Sequence, residues 1–246
     1  MTTTDTTGST FDQSVQAHLA RITEHNATAL DQAAEAVLDT VRADGLILTA
    51  GAGHSLAAVA ETFYRAGGLA CVRPLYHPDL LPMHGAQRST TAERRSGLAA
   101  DVLDVATLGG HDALVVFSTS GVNPYPVELA ALVRDAGRPV IAVTSGPSSS
   151  VAPRRAGSTL AENATIVLDT LVVPGDSTYP LDAPVTAPIS TVVNAFLWNL
   201  LLVRLLDLAR RSSLSLPLWR SSNVPGGDEA NAGLLAKFTP RVPALG

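Results

Sequence analysis

Two short segments of the chain combine glycine with hydroxyl side chains directly after an apolar run. The first reads Gly51-Ala52-Gly53-His54-Ser55, and the second reads Ser118-Thr119-Ser120-Gly121-Val122-Asn123. Each leads into a stretch that can be helical, so both predict a strand-to-helix turn at the carboxyl edge of one parallel sheet. Free backbone N–H groups, a helix dipole and hydroxyl donors together favour a compact anion. The two segments therefore predict a binding site for a phosphate monoester.

Two familiar phosphate-binding loops fit the first segment poorly. The dinucleotide fingerprint needs a third glycine where this chain has Leu56, and no acidic residue ends a clear second strand. A P-loop needs Gly-Lys followed by Ser or Thr, and the sequence has no such tripeptide. A tight turn that needs only small residues is the alternative for this segment. In the second segment, helix capping would account for one of the three consecutive hydroxyl residues but not for all three.

The hydrophobic pattern predicts the elements that would position these turns. Apolar residues recur at helical spacing over 11–43, which predicts an N-terminal helix. Strands are predicted at Leu46–Ala50, Leu69–Pro74, Ala113–Phe117 and Val140–Thr144, with further apolar runs at Thr165–Leu168 and Leu171–Val173. Helices are predicted at Leu56–Ala66, Leu98–Leu108, Pro126–Ala136 and 189–209. This alternation predicts an α/β fold, namely a flavodoxin-like doubly wound parallel sheet with an N-terminal helix.

The pattern also divides the chain into one domain and two flanking segments. Residues 1–10 are rich in threonine and are predicted to be a disordered tail, whereas residues 11–211 form the α/β domain. Residues 212–246 contain several prolines and glycines and are predicted to be an irregular tail. Within the domain, the polar stretch 76–97 has little apolar periodicity. An insertion of this length in a compact domain is more often functional than idle.

Composition and charge exclude several classes of partner. The 246 residues are 46% hydrophobic and carry a net charge of −5, so the chain lacks the basic face that nucleic-acid binding needs. Cys71 is the one cysteine of the sequence, which excludes an intrachain disulfide. Asn194, Arg204 and other polar residues interrupt the apolar run 189–209, so we expect a buried or interface helix rather than a membrane span. Since no secretory signal is visible, the protein is predicted to be cytoplasmic.

Together, the two turns resemble those of the sugar isomerase (SIS) domain family of phosphosugar isomerases and phosphosugar-binding domains. The residues that carry the resemblance are Gly-x-Gly-x-Ser at 51–55 and Ser-Thr-Ser-Gly at 118–121, joined to the strand Val140–Thr144. The second motif is most similar to the phosphoheptose isomerase branch. The stretch Phe63–Gly68, with His77-Pro78 and Glu93-Arg94 downstream, is more similar to an uncharacterised bacterial SIS subfamily.

The resemblance implies a set of binding residues and an assembly. Ser55, Ser118 and Ser120 would bind the phosphate, together with backbone N–H groups near Gly121. Asn123 stands where the family usually has Ser or Thr, so that phosphate contact is altered. Ser190 would either cap its helix or contact the sugar. The predicted binding residues are Gly53, Ser55, Ser118, Thr119, Ser120, Gly121, Asn123 and Ser190. The resemblance also implies a dimer or tetramer, with sites often completed by a second subunit.

Aldose–ketose isomerisation moves a proton between adjacent carbons, which needs a base and an acid or electrophile. Several family enzymes place a Glu where this chain has Arg65. Glu61, one helical turn earlier, is a candidate base, with a solvated carboxylate paired to Arg65 as the alternative. His54 in the first turn, and His84 and Glu93 in the polar stretch, are the other candidates. Their alternatives are a loop-filling histidine and a solvated charge cluster.

Three hypotheses about function follow. The first is an aldose–ketose isomerase of a sugar or amino-sugar phosphate, which needs no metal or organic cofactor. The spacing of His77, Asp79 and His84 matches no familiar metal site. The second is a non-catalytic sensor that binds a phosphosugar, because Arg65 replaces the expected Glu. The third is a lyase or etherase that uses the same deprotonation. In each hypothesis the ligand is a sugar phosphate, and neither nucleic acid nor a membrane is a partner.

Overall fold

A sheet of five parallel strands, in the order β2-β1-β3-β4-β5, forms the centre of the molecule. The computed structural model describes residues 7–246, with side chains from residue 11 onward. The strands are β1 Ile47–Gly51, β2 Val72–Leu75, β3 Ala113–Phe117, β4 Val140–Thr144 and β5 Ile166–Asp169. The helices are α1 Thr7–His25, α2 Ala27–Arg42, α3 Leu56–Thr62, α4 Ala86–Glu93, α5 Leu98–Ala106, α6 Pro124–Asp135, α7 Gly146–Val151, α8 Ser190–Arg211 and α9 Gly227–Phe238. This strand order confirms the predicted doubly wound fold.

The three central strands are buried along their whole length. Each residue of β1, β3 and β4 is buried, which is typical of parallel strands covered by helices on both faces. On one face α8 packs against α2 and α3, and on the other α6 packs against α4 and α5. The strand order reverses between β1 and β3, because β1 connects outward to β2 whereas β3 connects outward to β4. A crevice opens at such a reversal, at the carboxyl ends of the two strands.

The predicted N-terminal helix is two helices that meet at Asn26. The Asn26 amide donates to the carbonyl oxygens of Ile22 and Asp169 at 2.7 and 2.8 Å, and its Oδ1 accepts from the Asp169 N–H at 2.7 Å. This contact with the end of β5 holds the junction between the two helices. The prediction of one continuous helix over 11–43 was therefore wrong. The helix also begins earlier than expected, because residues 7–10 of the predicted tail belong to α1. Residues 1–6 lie outside the part of the chain that the structure describes.

The C-terminal segment 212–246 has more regular secondary structure than its proline and glycine content predicts. Residues 227–238 form α9, and Trp219, Phe238 and Val242 are buried. Backbone N–H groups of Gly67 and Ala70 donate to the carbonyl oxygens of Trp219 and Pro217 at 2.8 and 2.7 Å. The segment therefore packs beside β2, and the expectation of an irregular tail was wrong for α9. The apolar run Leu171–Val173 forms no strand.

Helix α8 is long and apolar enough to span a membrane by length and composition alone. It packs against α2 through a face that includes the buried residues Leu197, Leu201 and Leu205. Its other side leaves Val192 and Val203 about half exposed, at 49% and 57%. The helix is therefore a core helix on the side that packs against α2. Its other side carries an apolar outer stripe.

Candidate functional site

The first turn connects β1 to α3 and depends on two glycines. Gly53 has φ +61°, in the left-handed region that favours glycine. A Cβ at Gly51 would lie 3.0 Å from the backbone carbonyl of Ser55, so only glycine lets the turn fold back this closely. The turn leaves His54 exposed and Ser55 half-buried. Neither of these side chains has a hydrogen-bond partner among the described residues.

The second turn connects β3 to α6 and presents three hydroxyl groups. Ser118, Thr119 and Ser120 are half-buried at the end of β3. The N–H of Gly121 donates to Ser118 Oγ at 3.2 Å, which leaves the Ser118 hydroxyl proton available to a ligand. Gly121 itself has φ +60°. Asn123, whose side chain is buried, is the residue directly before α6. This turn is therefore a small concave surface with several free donors.

Both turns open into one cleft at the strand-order reversal, with a volume of about 670 Å³. The predicted residues on its wall are Gly53, His54, Ser55, Glu93, Ser118, Thr119, Ser120, Asn123 and Ser190. Three other hydroxyls on the wall are already engaged. Ser89 donates to the Leu80 carbonyl and Ser148 to the Val172 carbonyl, each at 2.8 Å, and Thr90 donates to the Ala86 carbonyl at 3.2 Å. The donors left for a ligand are thus those of the two turns.

Glu93 lies at the end of α4 and reaches both turns. Its Oε1 accepts from Asn123 Nδ2 at 2.9 Å. A Cβ built on Gly53 would lie 3.9 Å from its Oε2, which places the carboxylate beside the first turn. Burial raises the pKa of the Glu93 carboxyl, and the opposing charges of Arg94 and Arg155 lower it by less. A raised pKa makes the ionised carboxylate a stronger base than an exposed glutamate, which suits a group that must take up and return a proton.

Asp176 is a cleft residue that sequence reasoning missed. Its carboxylate accepts from the N–H groups of Ile189 and Ser190 at 3.0 and 2.9 Å and from Ser190 Oγ at 2.5 Å. It therefore caps the first turn of α8, the role considered for Ser190 itself. Asp176 and Ser190 are fourteen positions apart, so no local capping pattern could have revealed this contact. Arg155 was missed for the same reason, because its guanidinium contacts Asn123 from a different loop.

Two predicted catalytic residues lie away from the cleft wall. Glu61 forms an ion pair with Arg65 and accepts from Asn199 Nδ2 at 3.3 Å. His84 lies edge-on to the Tyr76 ring, and its Nδ1 is 3.2 Å from the Pro78 carbonyl oxygen. Neither residue is among those that line the cleft. Gly121 also does not line the cleft and instead forms the buried back of the second turn.

The fold and the cleft define an α/β protein with a cleft at the switch point of a doubly wound sheet. The family model of the SIS domain matches residues 10–145. The chain belongs to the SIS domain family. It is 38% identical over 234 residues to a UPF0309 protein of Streptomyces coelicolor, covering 91% of this chain and 92% of the relative. A UPF0309 protein of Geobacillus thermodenitrificans is 34% identical over 239 residues, covering 96% of each chain.

Two solved structures share the fold at low sequence identity. Phosphoheptose isomerase GmhA from Neisseria gonorrhoeae superposes with a TM-score of 0.54 at 18% identity, covering 80% of this chain and 95% of that chain. A phosphoheptose isomerase from Francisella tularensis superposes with a TM-score of 0.51 at 21% identity, covering 84% and 100%. At these identities the likeness concerns the fold.

Replacing Gly121 by Ala is expected to destabilise the protein and distort the second turn. An added Cβ would lie 2.7 Å from Thr144 Oγ1 and 3.2 Å from the Leu160 side chain, in addition to the strain of a positive φ. We expect a loss of about 2–4 kcal/mol in the free energy of unfolding, measured by urea denaturation. Gly137→Ala is the matched control, because Gly137 has φ +74° but open space around it. Equal losses in the two variants would contradict the proposed clash.

Proposed function

We propose that the cleft binds a sugar phosphate and that the protein is an aldose–ketose isomerase acting on it. The observation that carries the proposal is the position of Glu93, whose half-buried carboxylate adjoins both hydroxyl-bearing turns within one cleft. Membership of the SIS domain family supports a phosphosugar as the ligand. Two phosphoheptose isomerases share the fold of this chain, which supports the proposal of a phosphosugar ligand.

In this proposal the phosphate lies between the two turns. The hydroxyls that donate to its oxygens are those of Ser55, Ser118, Thr119 and Ser120, since none of them donates to another group among residues 11–246. Hydrogen bonds to a charged group are stronger than those between neutral groups, so a few donors suffice to hold a dianion. A phosphate fixed in this way holds the open-chain sugar with its carbonyl end towards Glu93.

Glu93 then transfers the proton. Its ionised carboxylate removes the proton from the carbon next to the carbonyl, and the electron pair of that C–H bond forms the double bond of an enediolate. The carbonyl oxygen gains negative charge, which His54 is placed to neutralise by donating a proton from the first turn. Glu93 returns its proton to the neighbouring carbon while His54 takes the proton of the second hydroxyl group, whose oxygen becomes the new carbonyl and which leaves both side chains as they began. Side chains of this chain supply the base and the acid for each of these proton transfers.

Isotope exchange tests this function directly. The protein is incubated in deuterated water with a panel of hexose, heptose and amino-sugar phosphates. An isomerase exchanges the proton next to the carbonyl for deuterium and forms the isomeric sugar, both of which NMR detects. A lyase or etherase would instead release a fragment from the sugar. Absence of exchange with every member of the panel would contradict isomerase activity for these substrate classes.

A non-catalytic phosphosugar sensor is the second candidate, and the position of Glu61 favours it. Several SIS enzymes place a carboxylate on the helix after the first turn, whereas this chain has Arg65 there and Glu61 pairs with it. A sensor retains the two turns and binds without exchange. Thermal stabilisation by a sugar phosphate, with no deuterium incorporated, would support the sensor over the isomerase.

We also propose that the protein acts in the cytoplasm as a homo-oligomer. The apolar outer stripe of α8, with Val192 and Val203 about half exposed, is a suitable surface for a second copy. Light scattering coupled to size exclusion measures the assembly. Val203→Glu is expected to shift it towards the monomer, because a charge at the centre of an apolar interface is costly to bury.

A further inference from the structure

We propose that Arg155 and Asn123 form a positioning pair that fixes the orientation of the Asn123 amide and thereby holds Glu93 in place as the base. Arg155 Nη1 donates to Asn123 Oδ1 at 3.0 Å, and Asn123 Nδ2 donates to Glu93 Oε1 at 2.9 Å. The three residues come from three different segments of the chain. This inference rests on the proposed role of Glu93, and nothing in the family resemblance assigns a part to Arg155.

The chemistry of the donors makes the chain of contacts directional. A guanidinium has N–H donors and no acceptor, so only the oxygen of the Asn123 amide can face Arg155. The amide nitrogen must then face Glu93, where it can donate but cannot accept. Asn123 consequently stabilises the ionised carboxylate and gives the protonated carboxylic acid no acceptor. Without Arg155, the amide could rotate and accept a hydrogen bond from protonated Glu93.

The surroundings of the pair favour a fixed geometry. The Asn123 side chain is buried, so its amide cannot exchange these partners for bulk water. The backbone N–H of Arg155 donates to the Val122 carbonyl at 3.2 Å, which ties the Arg155 loop to the second turn. Asn123 also precedes α6 without making a side-chain cap to that helix. Its amide is therefore engaged with Arg155 and Glu93 rather than with the helix terminus.

Several charges surround Glu93, and they allow orientation to be separated from simple electrostatic attraction. Arg94 adjoins Glu93 on α4, Arg155 acts through Asn123, and His54 and Asp176 share the cleft. Both arginines lower the pKa of Glu93, and Arg94 has the larger through-space effect. If charge alone mattered, Arg94→Ala would raise the pKa of Glu93 more than Arg155→Ala. A positioning pair predicts the reverse order.

The test is a carbon-13 NMR titration of the Glu93 carboxyl, assigned by its disappearance in Glu93→Gln. We expect Arg155→Ala to raise the pKa of Glu93 by more than Arg94→Ala does. We expect Asn123→Asp to raise it as well, because an aspartate bound to Arg155 presents a carboxylate oxygen to Glu93. Arg154→Ala is the matched control, since Arg154 contacts Glu162 at 3.0 Å instead. A shift in Arg155→Ala that is no larger than in Arg94→Ala would overturn the proposal.

Kinetics provide a second readout. With a sugar phosphate that undergoes exchange, Arg155→Ala is expected to lower kcat about tenfold while KM changes less than about twofold, because the pair acts on the base rather than on phosphate binding. An unchanged kcat with a changed KM would oppose the inference. If no sugar phosphate exchanges deuterium, the proposed function fails, whereas the titration still decides whether Arg155 positions Glu93.

Discussion

Replacing Glu93 by Gln is expected to slow deuterium exchange into the sugar phosphate by about 10³-fold, the range found when a general base is removed. Gln is nearly isosteric and keeps a side-chain oxygen for the Asn123 amide, but it cannot accept a proton from carbon. The phosphate donors are untouched, so affinity for the same sugar phosphate should change less than about threefold, measured by calorimetry. Loss of exchange without loss of binding identifies Glu93 as the base.

Glu61→Gln is the control for this substitution. Glu61 is a carboxylate on the helix that follows the first turn, but it pairs with Arg65 away from the cleft wall. We expect its exchange rate to stay within about twofold of the wild type, as is usual for a surface ion pair. A large loss in Glu61→Gln with normal exchange in Glu93→Gln would reverse the assignment.

The raised pKa of Glu93 also links activity to stability. Burial favours the protonated carboxyl in the folded state, so the stability contributed by Glu93 is complete below its ordinary, unfolded pKa and is lost as the pH rises through the raised folded pKa. At neutral pH the wild type therefore contains a buried charge that Gln lacks. We expect Glu93→Gln to unfold at a higher urea concentration than the wild type at pH 7, with the difference shrinking towards pH 4.

The rate of deuterium exchange should increase as the pH rises through the raised pKa of Glu93, since the base must be ionised.

The double variant Ser118→Ala with Ser120→Ala is expected to weaken binding of the sugar phosphate by about 100-fold or more. Each hydroxyl removed is a donor to a doubly charged group, worth about 1.5–3 kcal/mol. Both side chains lie on the cleft wall at the end of β3, outside the sheet and the helices, although the double variant also removes the Ser118 Oγ that accepts from the Gly121 N–H. Calorimetry with the sugar phosphate and with inorganic phosphate measures the effect, and thermal unfolding shows whether the fold is retained.

Ser150→Ala is the matched control for the double variant. Ser150 belongs to the hydroxyl-rich α7, and its Oγ donates to the Pro147 carbonyl over a distance of 2.8 Å. Ser150 does not line the cleft. Its removal should leave phosphate affinity within about twofold of the wild type, as for an exposed substitution. Retention of normal affinity in the double variant would mean that the second turn does not hold the phosphate.

The sequence by itself determined the sheet and the two turns. The strands Ala113–Phe117 and Val140–Thr144 occur as predicted, because a short run of apolar residues between turn signals specifies a buried parallel strand. The turns followed from glycines that tolerate positive φ directly after a strand. Since the carboxyl ends of β1 and β3 meet at the strand-order reversal, the sequence also predicted that Ser55 and Ser118 would open into the same region.

Only the tertiary structure decided which acidic residues could reach a ligand. Glu93 contacts Asn123 across 30 positions, and the Asn26 amide contacts Asp169 across 143. Such contacts depend on how helices pack on the sheet, and residue spacing along the chain carries no information about them. The raised pKa of Glu93 is likewise a consequence of burial, which a largely polar helix such as α4 does not reveal in its sequence. Local pattern therefore predicts elements and turns, whereas packing assigns the chemistry.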